Sequence, residues 1–391
     1  MDRLFCLAAL LVPILAVSAC AAAPERRVVR PVAEFDIAPD GDFIVLPVTI
    51  GGRAYPFLLN TGLAATMIDT ELRTKLELKK LLASDRERRA SQPRERYGGL
   101  SATLGNLKLD FPEGVESGGY ENVRRKLDLE CYGEIGMDVL RPYVVLIDFD
   151  EGKLSLLGSL PTGWGDGIRI TSLGGEGGAP TIGAAIPGMP QEKFIICTAR
   201  AGNSIELRSE LFSKLVDQQK LTTLDTEEEV RRASTISYKA GRLHAIQVGK
   251  HRHEQLVVST GEQNTIALSY LSRYVVAFDF PRNRMHLKKG KRFDELDCVL
   301  NVNAVEIERE GHAAVAVTRV WPQAGASPLG LCAGDFVESI NGRPVGRMSN
   351  WQVRRLLGQN GAPVSAAVRR GSETLKLTSK TTAAARPAAT D

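Results

Sequence analysis

Two short stretches of the chain combine residue types and placement that could do chemistry. Asn60-Thr61-Gly62 ends the apolar run Phe57-Leu58-Leu59, and Cys197-Thr198-Ala199 ends the run Phe194-Ile195-Ile196. A polar side chain on the last residue of an apolar strand is held by the strand and presented by the turn that follows. The two leading residues limit what can be done there. Asn60 can donate and accept hydrogen bonds but cannot take a proton from water at accessible pH. Cys197 carries a thiol with an ordinary pKa near ~8.5. As a nucleophile it would need a base and a lowered pKa. The chain has five histidines, and His244 is the nearest candidate by topology. The plainer expectation is that Cys197 acts as a small buried hydrophobe. His251 and His253 share one face of a strand, and with His244 they could be imagined as a metal site. No cysteine or acidic pair completes it, so an exposed hairpin tip is expected, with no metal and no cofactor.

The elements that position these residues occur twice. "FLLNTGLAATMIDTEL" from Phe57 answers "FIICTARAGNSIELRSEL" from Phe194, each leading into a short helical segment, Glu71–Lys75 or Ser209–Leu215. "GEIGMDVLRPYVVLIDFDEGKLSLL" from Gly133 answers "NTIALSYLSRYVVAFDFPRNRMHL" from Asn264, with Tyr143 and Asp148 matching Tyr274 and Asp279. "RRAS" recurs between these blocks, at Arg88–Ser91 and Arg231–Ser234. Three matched blocks in one order predict an internal duplication, with units at 35–165 and 166–293 joined by the glycine-rich stretch 174–180. Short β-branched runs between glycine turns, such as "DFIVLPVTI" and "YVVLIDFD", predict that each unit is mainly β.

A strand ending in apolar-apolar-Asp-Thr/Ser-Gly, followed later by a Gly-x-x-Gly-x-Asp-x-Leu block, is the pattern of aspartic proteases. Pro47–Asp69 and Gly133–Asp150 resemble the first and last elements of the retropepsin-like family of bacteria. The likeness covers about two thirds of the mature chain. It implies a mainly β fold with two retropepsin-like β-barrel lobes in pseudo-two-fold arrangement, like pepsin in plan. The family places aspartate where Asn60 and Cys197 stand. Its two carboxylates share one proton and act as acid and base on water and substrate. With Asn60 and Cys197 at the dyad-equivalent positions, and Thr61, Gly62 and Thr198 in support, no intact catalytic pair is expected. Loss of one such group costs roughly 10²–10⁴ in rate. The second unit has diverged further: Ala199 replaces the glycine of the turn, and "TIALSYL" lacks the glycine that "GEIGMDVL" keeps at Gly136. Its loop is therefore expected to be no longer held for catalysis. The charged stretches "SDRERRASQPRERYGG" and "DTEEEVRRASTISYKAG" precede the hairpins that would form flaps; they are expected to be solvated loops, with selection of a bound peptide as the functional alternative.

After "HLKKGKRFDELD" the pattern changes. Gly330-Leu331, Gly334-Asp335-Phe336-Val337, Ile340-Asn341-Gly342 and Val345 follow the Gly-Leu-x-x-Gly-Asp-x-Ile-x-x-Ile-Asn-Gly-x-x-Val pattern, and 294–381 resembles a bacterial PDZ domain. Such domains add an extended peptide to a sheet edge. The resemblance implies an edge at Ala313–Val320 facing a helix Trp351–Leu357, with Ala313, Ala314, Val315, Val317, Val353 and Leu357 as peptide-binding residues. Asn350 or Ser349 should cap that helix. The alternative is a PDZ fold used only for docking within the protein. Residues 382–391 read as a disordered tail.

The 391 residues predict two or three domains. Apolar content of 43% and charged content of 25% are ordinary for a globular protein, and a net charge of +4 without basic-aromatic runs argues against nucleic acid. Residues 1–19 read as a signal peptide, with Val17-Ser18-Ala19-Cys20 resembling a bacterial lipobox; Cys20 would be lipidated, 20–34 would form the linker, and Ala21 would favour the outer membrane. Of the six cysteines, Cys131, Cys197, Cys298 and Cys332 would remain in an oxidising compartment with three possible pairings, Cys298–Cys332 among them, or as free thiols. The expectation is a periplasmic, lipid-anchored monomer that binds peptide or protein segments without cutting them. The alternatives are an active aspartic endopeptidase with an atypical dyad and a structural envelope scaffold.

Overall fold

Burial alternates along Val45–Ile50, as a strand with one covered face requires, and the apolar ends of Arg53–Leu59 and Glu192–Cys197 sink into the core. The computed structural model describes residues 29–38, 42–82, 95–127, 129–171, 178–200, 202–224, 239–295, 297, 299–300, 305–310, 314–320, 329–360 and 363–379. The chain is mainly β, in several sheets. Cys20, Cys298, Ala313, both "RRAS" segments and much of the two charged stretches lie outside the described residues. No helix among the described residues is long and apolar enough to cross a membrane.

A nine-stranded sheet runs in the order Lys79–Lys80, Arg96–Gly98, Val115–Gly118, Met67–Asp69, Gly133–Ile135, Arg53–Leu59, Val45–Ile50, Ala102–Leu104, Leu107–Leu109. A seven-stranded sheet runs Leu221–Leu224, Ala240–Val248, His251–Gly261, Ile205–Arg208, Thr265–Ala267, Glu192–Cys197, Thr181–Ala184. The seven strands of the second follow the order of the first seven strands of the other, and each matched pair has the same parallel or antiparallel sense. The register agrees too: Leu59 lies opposite Ile135, and Ile196 opposite Ile266. The expected β-barrels do not form, because each sheet is open among the described residues. The outermost strands are only two to four residues long, and the two sides of the seven-stranded sheet meet at a single bridge, Ala185 opposite Gln247, not along a continuous ladder.

A six-stranded antiparallel sheet joins the halves, in the order Ala33–Asp36, Lys153–Leu157, Val144–Asp148, Tyr274–Asp279, Arg284–Lys289, Ile168–Arg169. At its centre Val144 lies opposite Asp279, Leu146 opposite Ala277 and Asp148 opposite Val275. The two aspartates that match in sequence have matching jobs. Asp148 accepts the N–H groups of Asp150 and Glu151, and Asp279 accepts that of Arg282, so each closes the turn after its strand. One continuous apolar core runs through both halves, from Ile44 and Phe57 to Phe194 and Phe278.

The C-terminal sheet runs Val305–Glu310, Ala314–Val320, Phe336–Ile340, Ser365–Arg370, Glu373–Thr378, and has its own core. Asp335 is fully buried and is held by two nitrogens of Arg370, at 2.7 and 2.9 Å, and by the Cys332 N–H. Ser349, not Asn350, caps the helix Asn350–Leu357 in a reciprocal arrangement with Gln352. The expected edge strand needs correction. Ala314–Val320 is bonded on both sides, by Val305–Glu310 and by Phe336–Ile340, so it has no free ladder to offer a peptide. The outer strand beside the helix is Val305–Glu310. Val315, Val317, Val353 and Leu357 are buried in the core, and Ala314 is half-buried in the inner strand. The helix also faces the first half, where the Trp351 ring meets Phe43 edge-on at 5.6 Å and Arg355 pairs with the buried Asp42 at 2.8 Å.

Candidate functional site

The strands Arg53–Leu59 and Glu192–Cys197 end at one point, and their turns interlock there. Thr61 Oγ1 donates to the Ile196 carbonyl at 2.7 Å and accepts the Thr198 N–H at 3.2 Å. Thr198 Oγ1 donates to the Leu59 carbonyl at 2.7 Å and accepts the Thr61 N–H at 3.1 Å. Both threonines are fully buried, so this reciprocal set satisfies four groups that water cannot reach. It also brings the preceding side chains together: Cys197 Sγ donates to Asn60 Oδ1 at 3.4 Å. Gly62 sits against both, and a Cβ there would lie 3.0 Å from Asn60 Oδ1 and from Cys197 Sγ. The structure thus gathers Asn60, Thr61, Gly62, Cys197 and Thr198 at one junction.

The Asn60 amide makes three hydrogen bonds. Oδ1 accepts the Gly62 N–H at 2.8 Å as well as the thiol, while Nδ2 donates to Glu134 Oε2. The other carboxylate oxygen of Glu134 accepts the Tyr120 hydroxyl at 3.0 Å. Sequence reasoning missed this carboxylate. The available signal was a second acidic residue, besides the Asp138 of the family pattern, inside the largely apolar block Gly133–Leu140. Glu134 lies on the strand that runs parallel to Arg53–Leu59, opposite Leu58, and this register brings it to Asn60.

Burial pushes the Cys197 thiol above its ordinary pKa, and Glu134 adds to the rise; the backbone N–H groups of Ala199 and Arg200 and the Arg200 charge oppose it without reversing it. Cys197 is therefore a neutral thiol at neutral pH, unsuited to nucleophilic attack. Among the described residues no imidazole is a polar neighbour of Cys197, and His244 instead bonds Thr222 at 2.9 Å. Burial, chiefly, also raises Cys131, to about 11. Cys131, Cys197 and Cys332 are free thiols.

The second loop is held more firmly than its lost glycines predict. Met137 N donates to the Leu63 carbonyl at 2.8 Å in the first half; Ala267 N and Leu268 N donate to the Ser204 and Arg200 carbonyls at 3.1 Å in the second. These backbone bonds and the Ser269 hydroxyl, which donates to the Gly202 carbonyl at 2.8 Å, fasten the second turn, with the buried Ala267 fitted into the space. In the first half the fit depends on glycine. A Cβ on Gly136 would lie 2.7 Å from the Ala65 carbonyl carbon and 2.9 Å from the Thr66 nitrogen. Gly136→Ala is expected to lower stability by about 1–3 kcal/mol through this overlap, read as a lower urea midpoint at unchanged m-value.

His251 and His253 are not at an exposed hairpin tip. Both are buried, because Phe293 from the basic connector folds over them, at 5.8 and 4.8 Å between ring centres. His253 Nε2 bonds the Tyr274 hydroxyl, which also meets the Tyr270 hydroxyl at 3.2 Å. Among the described residues no group of three His, Cys, Asp or Glu is placed to hold a metal. Burial, with the positive charge of Arg273 and contributions from His251 and Lys289, lowers the His253 pKa to about 4, against a smaller opposing pull from Asp294. The unfolded chain then binds more protons than the folded one between about pH 6.5 and 4. Stability is complete above that window and falls as pH drops through it, by up to about 3 kcal/mol. His253→Phe should flatten this part of the stability–pH curve in urea titrations; a slope equal to that of the parent would show that other groups carry it.

A cavity of about 290 Å³ lined by Arg169, Ile170, Thr171 and Asn283 shares no residue with the Asn60–Cys197 junction. No known family pattern and no characterised protein matches the chain.

Proposed function

We propose that the chain is a pair of retropepsin-like lobes followed by a PDZ-type domain, and that it binds peptides or unfolded protein segments without hydrolysing them. The carrying observation is the junction itself: Asn60 Oδ1 and Cys197 Sγ stand 3.4 Å apart on interlocked turns, and neither residue can serve as a carboxylate acid or base. The shared strand order and register of the two sheets support the two-lobe reading. The capped helix, the Asn341-Gly342 turn and the Asp335–Arg370 pair support the PDZ reading. In that domain the peptide-accepting edge becomes Val305–Glu310. Its helix packs on the first lobe through Trp351 and Arg355, which supports a role in docking within the protein as well. The lipid anchor at Cys20 and the outer-membrane periplasmic location belong to the same proposal, and labelling with a radioactive fatty acid that is lost in Cys20→Ser tests them.

The decisive experiment incubates the protein with denatured proteins and peptide pools at pH 3 to 7. Retention of peptide on the protein without new fragments is the expected result. Pepstatin-sensitive cleavage would overturn it, and absence of any binding would leave a structural envelope scaffold. The endopeptidase reading keeps one observation in its favour, the Glu134 carboxylate bonded to Asn60. Under that reading Glu134→Gln would abolish cleavage seen with the parent protein.

A further inference from the structure

Glu134 supplies a charge that neither turn residue can supply. Its two oxygens accept hydrogen bonds from Asn60 Nδ2 and from the Tyr120 hydroxyl. Burial, reinforced by Glu134 itself, keeps that hydroxyl protonated and hence a donor. Two donors fix the carboxylate's orientation, yet each oxygen retains a lone pair for a further partner. The side chain is only half-buried, so a ligand lying over Asn60 and Cys197 can reach it. Among the described residues no lysine or arginine pairs with it. Arg124 faces Asp69 and Glu71, and Arg200 faces Glu206. The charge is also one-sided. Glu134 is paired with Leu58 and Met67, while Thr265, at the matching register, is paired with Ile195 and Glu206. The second half thus has a neutral hydroxyl where the first has a carboxylate, and its nearby Glu206 is already balanced by Arg200 at 3.4 Å.

We infer that Glu134 is the specificity-determining group of the junction: it receives the cationic side chain of a lysine or arginine in a peptide bound across Asn60 and Cys197. This rests on the peptide-binding reading above and adds to it the chemical class of the preferred segment. Asn60 and Tyr120 act as positioning residues that aim the carboxylate.

The test uses two fluorescent decapeptide pools built from alanine, valine, leucine, serine and threonine, identical except for lysine or norleucine at one central position. Norleucine keeps the aliphatic stem and removes the charge. Fluorescence anisotropy with the full-length protein should give roughly tenfold tighter binding of the lysine pool, the factor that corresponds to about 1.4 kcal/mol. The preference should shrink as salt rises from 50 to 500 mM. Glu134→Gln should erase the preference, so that the two pools bind that variant equally, and Glu134→Asp should keep part of it. Equal binding of both pools by the parent overturns the role of Glu134 and leaves peptide binding intact. Binding of neither pool overturns the peptide-binding reading, and this inference with it. If Glu134→Gln fails to fold, the parent decides alone: a lysine preference insensitive to salt counts against the carboxylate.

Discussion

Replacing Thr61 with valine is expected to destabilise the protein by roughly 2–5 kcal/mol, although the two side chains have nearly the same shape. The variant creates no cavity, so the loss is polar. Thr61 Oγ1 is the partner of both the Ile196 carbonyl and the Thr198 N–H, and Thr61 is fully buried. Each buried group left without a partner costs about 1–3 kcal/mol. Thr61→Ser keeps the hydroxyl and gives up one methyl, so it should cost only about 1 kcal/mol. Urea unfolding of the two variants separates these outcomes, and equal losses would mean that packing, not the interlocked bonds, holds the turns together. Thr198→Val should behave alike, since its hydroxyl makes the mirror-related pair of bonds. The double variant should lose less than the sum of the singles, because both remove parts of one network. Native domains are stable by only about 5–15 kcal/mol, so even a single valine consumes a large share of the margin.

The second large effect is a gain. Asn60→Asp with Cys197→Asp would set two carboxylates at a junction whose present polar atoms lie 3.4 Å apart. Two carboxylates that close share one proton and titrate as a pair, which is what acid–base hydrolysis of an amide requires. Glu134 complicates the change. Its present bond comes from the Asn60 amide N–H, and Asn60→Asp would turn that donor into a second acceptor. Adding Glu134→Gln restores the bond with its direction reversed, the glutamine amide donating to the introduced carboxylate. The triple variant is therefore expected to release fragments from denatured casein at pH 3 to 6 at least roughly 10²-fold faster than either single aspartate variant. The double variant, left with one acceptor facing another where Asn60 Nδ2 now donates to Glu134, should cleave more slowly than the triple variant. A triple variant that melts like the parent yet cleaves nothing would show that a pair of carboxylates at this junction does not suffice for hydrolysis.

The identity of the junction residues was legible because one local problem is solved twice in the chain. Two apolar strands end in a polar residue followed by threonine, and two strands end in an aspartate that closes the next turn. The mainly β character was legible for the same reason, from repeated short β-branched runs between glycines. The charge of the junction was not. Glu134 reaches Asn60 from 74 residues away, and only the parallel register of its strand against Arg53–Leu59 brings them together. Burial of His251 and His253 is hidden in the sequence because the residue that covers them, Phe293, sits in a stretch that reads as a basic connector. The free edge of the C-terminal sheet lies one strand further out than the sequence pattern implies. Alternation identifies the buried face of Ala314–Val320, but it does not say which of its two flanks is bonded.

The central pairing of Val144–Asp148 with Tyr274–Asp279 has a consequence for any attempt to cut the molecule in two. The strands match in sequence and meet antiparallel about Leu146 and Ala277, so each is nearly its own complement. A fragment containing only the first half would carry a raw ladder that a second copy of itself could dock onto, Leu146 against Leu146. Such a fragment is expected to sediment as a homodimer or to precipitate, and adding the missing half should dissolve the self-association by offering the better-fitting mate.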